Sequence, residues 1–347
     1  MDTNMNQMPK VKRETKNRIK VEFDRTPLKE RLKAKFLSGY FLGNIVWFLF
    51  RFIILLGVSF VIIYPFITKI AGSFMGKDDF IDVTVRLIPK HFTLDTYKAI
   101  FNELDYWEAF TNTLILSFSC AVIQMFVSCL VGYGLAKFRF KGNGLVFLAV
   151  ILTMVVPHST IQLSMFMKFR YFDVFGIFGL LNNVGVMKHS FIQLTNSFTP
   201  LILMSLTGLA FKNGLYVFMM RQFFLGVPDE LEESAYIDGS GTLKTFFKII
   251  LPLSVPMMIT VFLFAFAWQW TDEFYTNLFF TDNKTTLMPD IINNIPPSLK
   301  TDYAGSYLFN SAINNTSGLV IIAPLIIMYL FCQRYLVQGI ERSGIVG

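Results

Sequence analysis

The chain has 347 residues, of which 53% are hydrophobic and only 16% are charged. A soluble protein usually carries about 25% charged residues, and the apolar residues here lie in long blocks, so the composition argues against a soluble globular fold. The formal net charge is +7, and basic residues concentrated ahead of an apolar block fit the positive-inside rule better than nucleic-acid binding.

The N-terminal arm, residues 1–44, carries most of this charge. Eleven basic residues lie between Lys10 and Lys35, so we expect the arm to lie in the cytoplasm. The stretch from Pro27 to Gly43 mixes basic residues with Leu and Phe. It is equally consistent with an amphipathic helix on the membrane surface and with a solvated linker.

Six charge-poor apolar segments follow the arm, each close to the roughly 20 residues that cross a bilayer. The sequence therefore predicts an all-α polytopic membrane protein with six transmembrane helices. The predicted spans are residues 52–68, 109–136, 142–157, a part of 197–220, 249–270 and 317–331. Lys212 interrupts the fourth of them, and its ends are therefore the least well defined.

The charges between the spans predict the orientation. One segment between spans carries Lys137, Arg139 and Lys141, another carries Arg221, Lys244 and Lys248, and the C-terminal tail carries Arg334 and Arg342, whereas acidic residues dominate 78–108 and 272–302. Under the positive-inside rule the former lie in the cytoplasm, together with both termini, and the latter lie outside. The alternation agrees with six spans.

The segment from Val227 to Gly241 has the marks of a short helix with defined ends. Pro228 suits the first helical position and is followed by four acidic residues that complement the helix dipole. Gly239 can form a left-handed C-terminal cap, and a second helix is expected from about Thr242 into the fifth span. Such a knob could dock into a partner, or it could simply connect two spans.

This segment resembles the EAA loop of type I ABC importer permeases. Glu233-Ser234-Ala235, then Asp238-Gly239 and Leu251-Pro252, follow that pattern, with Ser234 where alanine is usual. The resemblance implies the six-helix MetI-like permease fold and a coupling helix that fits a groove of an ATP-binding subunit. The coupling residues that it implies are Glu232, Glu233, Ser234, Ala235, Asp238, Gly239 and Pro252.

The C-terminal tail is similar to that of carbohydrate permeases of the maltose and multiple-sugar type. It contains Gln333-Arg334-Tyr335 and ends Gly344-Ile345-Val346-Gly347. The resemblance implies an oligosaccharide substrate and ATPase contacts at Gly339, Gly344 and Gly347. It also implies a division into the arm, a first helix with an extracellular segment (45–108), a permease core (109–333) that contains the coupling loop (227–256), and a tail (334–347).

No Gly-x-x-x-x-Gly-Lys-Ser/Thr loop occurs in the sequence, so we expect ATP and magnesium to be bound by another subunit and this chain not to be an enzyme. Neither the three cysteines nor the three histidines show metal-ligand spacing. The resemblance implies a bacterial cytoplasmic membrane location. It further implies a second related permease, an ATPase dimer and an extracellular solute-binding protein as partners.

Two groups of residues are candidates for the substrate pathway. Lys212, followed by Asn213, is an ionisable residue within a predicted span. It lines the pathway, extends its ammonium group to the membrane surface, or forms a structural pair with a neighbouring group. The second group lies at the outer end of the fifth span and could stack on sugar rings, or could form an ordinary interfacial belt. Its members are Trp268, Gln269, Trp270 and Tyr275.

Three other functions remain open at this stage. A type I permease could carry another solute, such as a polyamine or phosphate. An ion-driven secondary transporter is disfavoured because such proteins often place carboxylates in mid-membrane, and the predicted spans contain none. A structural or signalling membrane protein would show no substrate-stimulated ATP turnover in its complex.

Overall fold

The computed structural model describes residues 11–14, 20–23, 39–174, 176–186, 188–282, 284–303 and 306–342. The chain divides into two compact units, residues 1–68 and 69–347. In the first unit, strands β1 (Val11–Glu14) and β2 (Lys20–Phe23) pair as an antiparallel ribbon. The possible surface helix at 27–43 lies outside the described residues except for its last few, which belong to helix α1 (Gly39–Ser73).

The second unit is helical. Its short helices include 3₁₀ turns at Lys77–Phe80, His158–Ile161 and Pro297–Leu299. A π-helical turn, Phe246–Ile250, joins α10 to α11. The α-helices in chain order are α2 (Asp95–Glu103), α3 (Tyr106–Lys137), α4 (Asn143–Val155), α5 (Gln162–Arg170), α6 (Ile177–Asn183), α7 (Thr199–Leu206), α8 (Asn213–Leu225), α9 (Glu230–Ile237), α10 (Thr242–Thr245), α11 (Leu251–Trp270), α12 (Phe274–Phe279), α13 (Met288–Ile291) and α14 (Ser306–Arg342).

Four helical segments in the described part of the chain are long and apolar enough to cross a membrane. They are Gly43–Ser73, Tyr106–Lys137, Thr242–Trp270 and Ser306–Gly339. They contain the first, second, fifth and sixth predicted spans. The third predicted span is α4, which is bent by 91° against the segment His158–Arg170. The predicted all-α polytopic membrane fold is confirmed.

The fourth predicted span is not one helix but two, α7 and α8. Residues 207–212 separate them, and both Gly208 (φ 74°) and Lys212 (φ 64°) have left-handed backbone there. A left-handed residue ends an α-helix, and the free backbone groups at membrane depth are tolerated only inside protein or beside a cavity. The break therefore marks a place where a cavity is expected.

Helix α3 lies at the centre of the core, packed against α7, α8 and α11, and α11 packs in turn on α14. Gly132 allows the close approach of α3 to α8, because a Cβ atom at this position would lie 2.6 Å from the Cβ of Met220. Gly214 does the same for α8 and α4, where a Cβ would lie 2.4 Å from Oγ1 of Thr153. Small residues at such crossings are typical of membrane helices.

Candidate functional site

A cleft opens where the break between α7 and α8 meets the end of α11. Its volume is about 430 Å³, and a neighbouring cleft of about 340 Å³ shares Pro157, His158 and Phe211 with it. Aromatic and charged residues line much of the first cleft, and the second lies between residues 153–158, at and after the end of α4, and residues 211–215 at the start of α8. The aromatic and ionisable residues of the two clefts together are His158, Phe211, Lys212, Trp268, Asp272, Glu273, Phe274 and Tyr275.

Lys212 lies in the wall of this site, directly before α8 begins. Its ammonium nitrogen is 4.8 Å from the ring centroid of Phe211 and 5.0 Å from that of Trp268. Both distances are within cation–π range. The side chain therefore bridges the helix break and the end of α11, an arrangement that fits a pathway-lining residue and a structural pair equally.

Trp268 is the predicted aromatic residue with the most available surface, since 48% of it is exposed. Its indole meets Phe211 edge to face, with 5.6 Å between the ring centroids. Tyr275 is buried behind it, and its hydroxyl is hydrogen-bonded to Nδ1 of His158. Together these four side chains form an aromatic wall with one indole facing the cleft.

Asp272 lies just beyond α11 and adds a carboxylate to the cleft. Burial raises its pKa to about 6, although backbone N–H groups at the start of α12 oppose the shift. One of these, the N–H of Tyr275, donates to Oδ2 at 3.2 Å. The carboxylate thus caps α12, and its protonation changes within a pH range that cells experience.

A narrow extension of the site reaches between α3 and α11. Gln124 of α3 and Gln269 of α11 line it, together with Asp272. Nε2 of Gln124 donates to Oγ of Ser205 at 3.2 Å. Gln269 therefore lines the site, and the amide side chains of Gln124 and Gln269 lie next to the aromatic wall.

The structure does not support a pathway role for Trp270 or Asn213. Trp270 is 0% exposed, and its Nε1 donates to the carbonyl of Ile321 at 2.9 Å. It also packs edge to face on Phe110. Asn213 is fully buried beside Gly208. Adjacent residues on a helix point in directions about 100° apart, so neighbours of cleft residues can face the core.

Sequence reasoning missed several cleft residues, namely Gln124, His158, Phe211 and Asp272. His158 shows no metal-ligand spacing with the other histidines, and Phe211 is one of 39 phenylalanines. The available signal was local, because His158 follows Pro157 at the end of the third span and Phe211 adjoins Lys212. Only the tertiary fold brings these two pairs together.

The short helix that the sequence predicts between Val227 and Gly241 is α9, and its C-terminal cap has the predicted form. Gly239 has φ 79°, its N–H donates to the carbonyl of Tyr236, and the N–H of Ser240 donates to that of Ala235. This pair of backbone hydrogen bonds is a Schellman motif. The following helix begins at Thr242, where the sequence predicts it.

The predicted coupling residues divide between two faces of this region. Glu232 and Ala235 are buried against the rest of the chain. The others are exposed and available to a partner: Glu233, Ser234, Asp238, Gly239 and Pro252.

Gly339 occupies a different environment from the one predicted for an ATPase contact. It is buried against α11, where a Cβ atom would lie 2.3 Å from Oγ1 of Thr260 and 3.0 Å from the carbonyl oxygen of Pro256. Gly339 lets α14 cross α11 closely and lies inside this helix crossing rather than on an exposed surface. Gly344 and Gly347 lie outside the described residues.

Long apolar helices, a helix break beside a polar and aromatic cleft, and a capped helix between two spans define a membrane transport subunit. Residues 124–342 match the family of binding-protein-dependent transport system inner membrane components. This match spans more than half of the chain, and the chain belongs to that family. It is the permease subunit of an ABC importer and not an enzyme, since the ATPase of such systems is a separate subunit.

Individual relatives agree with this assignment. The chain is similar to the arabinooligosaccharides transport system permease protein AraQ of Halalkalibacterium halodurans, with 28% identity over 84% of this chain and 93% of that protein. It is also 28% identical to the alpha-glucoside transport system permease protein AglG of Rhizobium meliloti, over 75% of this chain and 62% of that protein. A bacterial ABC transporter involved in the import of the acidic polysaccharide alginate shares the fold, with a TM-score of 0.62, 19% identity, and coverage of 84% of this chain and 97% of that chain.

Proposed function

We propose that this permease carries an oligosaccharide across the bacterial cytoplasmic membrane by alternating access. It works with a second related permease, a dimer of ATPase subunits that bind ATP and magnesium, and an extracellular solute-binding protein. Both termini lie in the cytoplasm, as the basic segments indicate. The similarity to relatives named for arabinooligosaccharide and alpha-glucoside transport supports a sugar as the cargo.

The observation that carries the proposal is the chemistry of the cleft. The half-exposed indole of Trp268 provides an apolar face on which a sugar ring can stack, and Gln269 and Asp272 provide partners for hydroxyl groups. A binding site that combines a few aromatic faces with a small number of placed polar groups suits a ligand of mixed polarity. A volume of about 430 Å³ lies within the range of roughly 300–1,000 Å³ that is usual for small-molecule sites.

The exposed face of α9 supplies the link to ATP hydrolysis in this proposal. Glu233, Ser234 and Asp238 are small or acidic and exposed, and the Schellman motif fixes the turn that follows them. A rigid helix end of this kind can fit a groove of the ATPase and move with it. When ATP binding closes the ATPase dimer, α9 moves, and the spans on either side of it reorient the cleft.

A cationic solute such as a polyamine is the second candidate cargo. Asp272 and Glu273 place two carboxylates in the cleft, which would attract an amine. Lys212 stands against it, because its ammonium group lies over Trp268 within the same site. Lys212 thus offsets one of the two carboxylates and weakens the case for a cationic cargo.

Competition for uptake distinguishes these cargoes. Cells that express the complete transporter would be given labelled arabino-oligosaccharide with an excess of unlabelled malto-oligosaccharide, spermidine or phosphate. The proposal expects labelled sugar to accumulate and only another oligosaccharide to compete. In a parallel assay with labelled spermidine as the probe, accumulation of spermidine without accumulation of any sugar would replace the sugar proposal by the polyamine one.

A further inference from the structure

Lys137, the last residue of α3, is a charged residue with an unusually buried side chain. Only 6% of the side chain is exposed. Its ammonium group donates to the carbonyl oxygen of Val227 at 2.6 Å and to the carboxylate of Asp229. The second bond lowers the pKa of Asp229, whose own side chain remains 74% exposed. Lysine is seldom buried to this degree unless it is paired.

The two partners of Lys137 flank the point at which α9 begins. Val227 follows α8, and Asp229 is the residue directly before α9. The ammonium group thus fixes the entry to α9 against the end of α3. Aromatic packing supports the same joint, since Tyr133 of α3 meets Phe224 of α8 edge to face with 5.5 Å between ring centroids.

The chain leads directly from α9 to two of the helices that line the site, α8 and α11. The third helix, α3, is not adjacent to α9 along the chain. Upstream, α9 follows α8, which begins at the wall that holds Lys212. Downstream, it continues through α10 into α11, which carries Trp268. Helix α3 contributes Gln124 to the narrow extension. It is joined to the start of α9 by side-chain contacts, among them the bonds of the Lys137 ammonium group to Val227 and Asp229 directly before that helix.

We propose that Lys137 is a positioning residue that makes α3 follow α9 during the transport cycle. Gln124 and Lys137 lie on the same helix, separated by about 20 Å of helix rise. A displacement of α9 therefore reaches the wall that bears Gln124 along α3, at the same time as it reaches the other two walls through the backbone. The inference rests on the proposed role of α9 as the coupling helix.

The test uses the complete transporter in liposomes, with labelled arabino-oligosaccharide as the transported probe. ATP hydrolysis and sugar uptake are measured together for Lys137→Met, which keeps the aliphatic stem and removes the charge. We expect hydrolysis to continue while the sugar carried per ATP falls about fivefold, a size typical of lost coupling between sites. Lys137→Arg should restore most of the ratio. Asp229→Asn should lower it less, because the bond to Val227 remains.

The matched control is Lys141→Met, which removes the charge of an exposed lysine in the turn after α3 and should leave the ratio unchanged. An unchanged ratio in Lys137→Met would overturn the proposal. So would equal losses of uptake and hydrolysis that Lys137→Arg does not repair, since these indicate a purely structural residue. If the Lys137→Met transporter fails to assemble, an unchanged ratio of sugar to ATP in Asp229→Asn would overturn the proposal. Absence of ATP-driven uptake in the wild-type complex would instead refute the proposed function.

Discussion

The ammonium group of Lys212 lies 5.0 Å from the ring centroid of Trp268, across the cleft between the start of α8 and the end of α11. This contact joins the helix break to the fifth span. It places the ionisable residue and the most exposed indole of the site face to face. Each of the two residues can be tested separately.

Replacement of Trp268 by alanine tests the stacking surface. Loss of one aromatic face costs about 1.4 kcal/mol of interaction, or about tenfold in transport rate. ATP hydrolysis without sugar should stay near the wild-type value. Trp107→Ala is the matched control, because Trp107 is also exposed and lies outside the cleft residues. A similar loss in both variants would show that Trp268 acts only as a membrane-interface residue.

The turn after α9 can be tested with a pair of glycines. Gly239 has φ 79°, whereas Gly241 has φ −77° and open space around it. Gly239→Val should strain the turn by about 1–2 kcal/mol and displace the exposed face of α9, so that a tagged chain recovers less ATPase from membranes. Gly241→Val should recover the wild-type amount. Equal recovery with both variants would contradict a role for this turn in docking.

The crossing of α3 and α8 can be tested with two glycines on one helix. A Cβ at Gly132 would collide with Met220 and with the backbone of Arg221, whereas at Gly134 it would meet nothing within 4 Å. Gly132→Ala should lower the free energy of unfolding by about 1–3 kcal/mol through overpacking. Gly134→Ala should be neutral or slightly stabilising because alanine favours helix. Thermal unfolding in detergent compares them, and equal melting temperatures would refute the close crossing.

The buried carboxylate of Asp272 predicts a pH dependence of stability. Its pKa is raised to about 6 from 3.8, so the folded state holds a proton that the unfolded state has released between these values. Stability should therefore fall as pH rises from about 4 to 6 and should stay lower above pH 6. Asp272→Asn, which carries no charge, should flatten this decline in unfolding experiments.

The control for this titration is Asp302→Asn, which neutralises an exposed carboxylate. It should keep the wild-type decline between pH 4 and 6. If Asp272→Asn retains that decline as well, the proton in question belongs to another group.

Most of the fold was predictable because the bilayer imposes its own length on apolar segments. Charge-free intervals located five of the six spans as helices, and glycine at 239 indicated the turn after α9 since its left-handed conformation suits glycine. The break between α7 and α8 was not predictable as a break. Lys212 is not a glycine, yet it adopts left-handed backbone there, which residue type alone does not predict.

The site was predictable only in part for a similar reason. Trp268, Gln269, Tyr275 and Lys212 carry local signals, since they are aromatic, polar or charged residues within or beside an apolar span. Trp270 carries the same signal and faces the core. Gln124 lies far from these residues in sequence and reaches the site only through the packing of α3 on α11.

The most direct test of the account is ATP-dependent sugar uptake by the purified complex in liposomes. The tagged chain would be isolated from its native membrane with its partners, reconstituted with the solute-binding protein, and supplied with labelled arabino-oligosaccharide and ATP on opposite sides. The account predicts uptake that requires ATP hydrolysis and stops when the ATPase is inhibited. Uptake that persists without ATP under an ion gradient, or a complex that contains no ATPase, would contradict it.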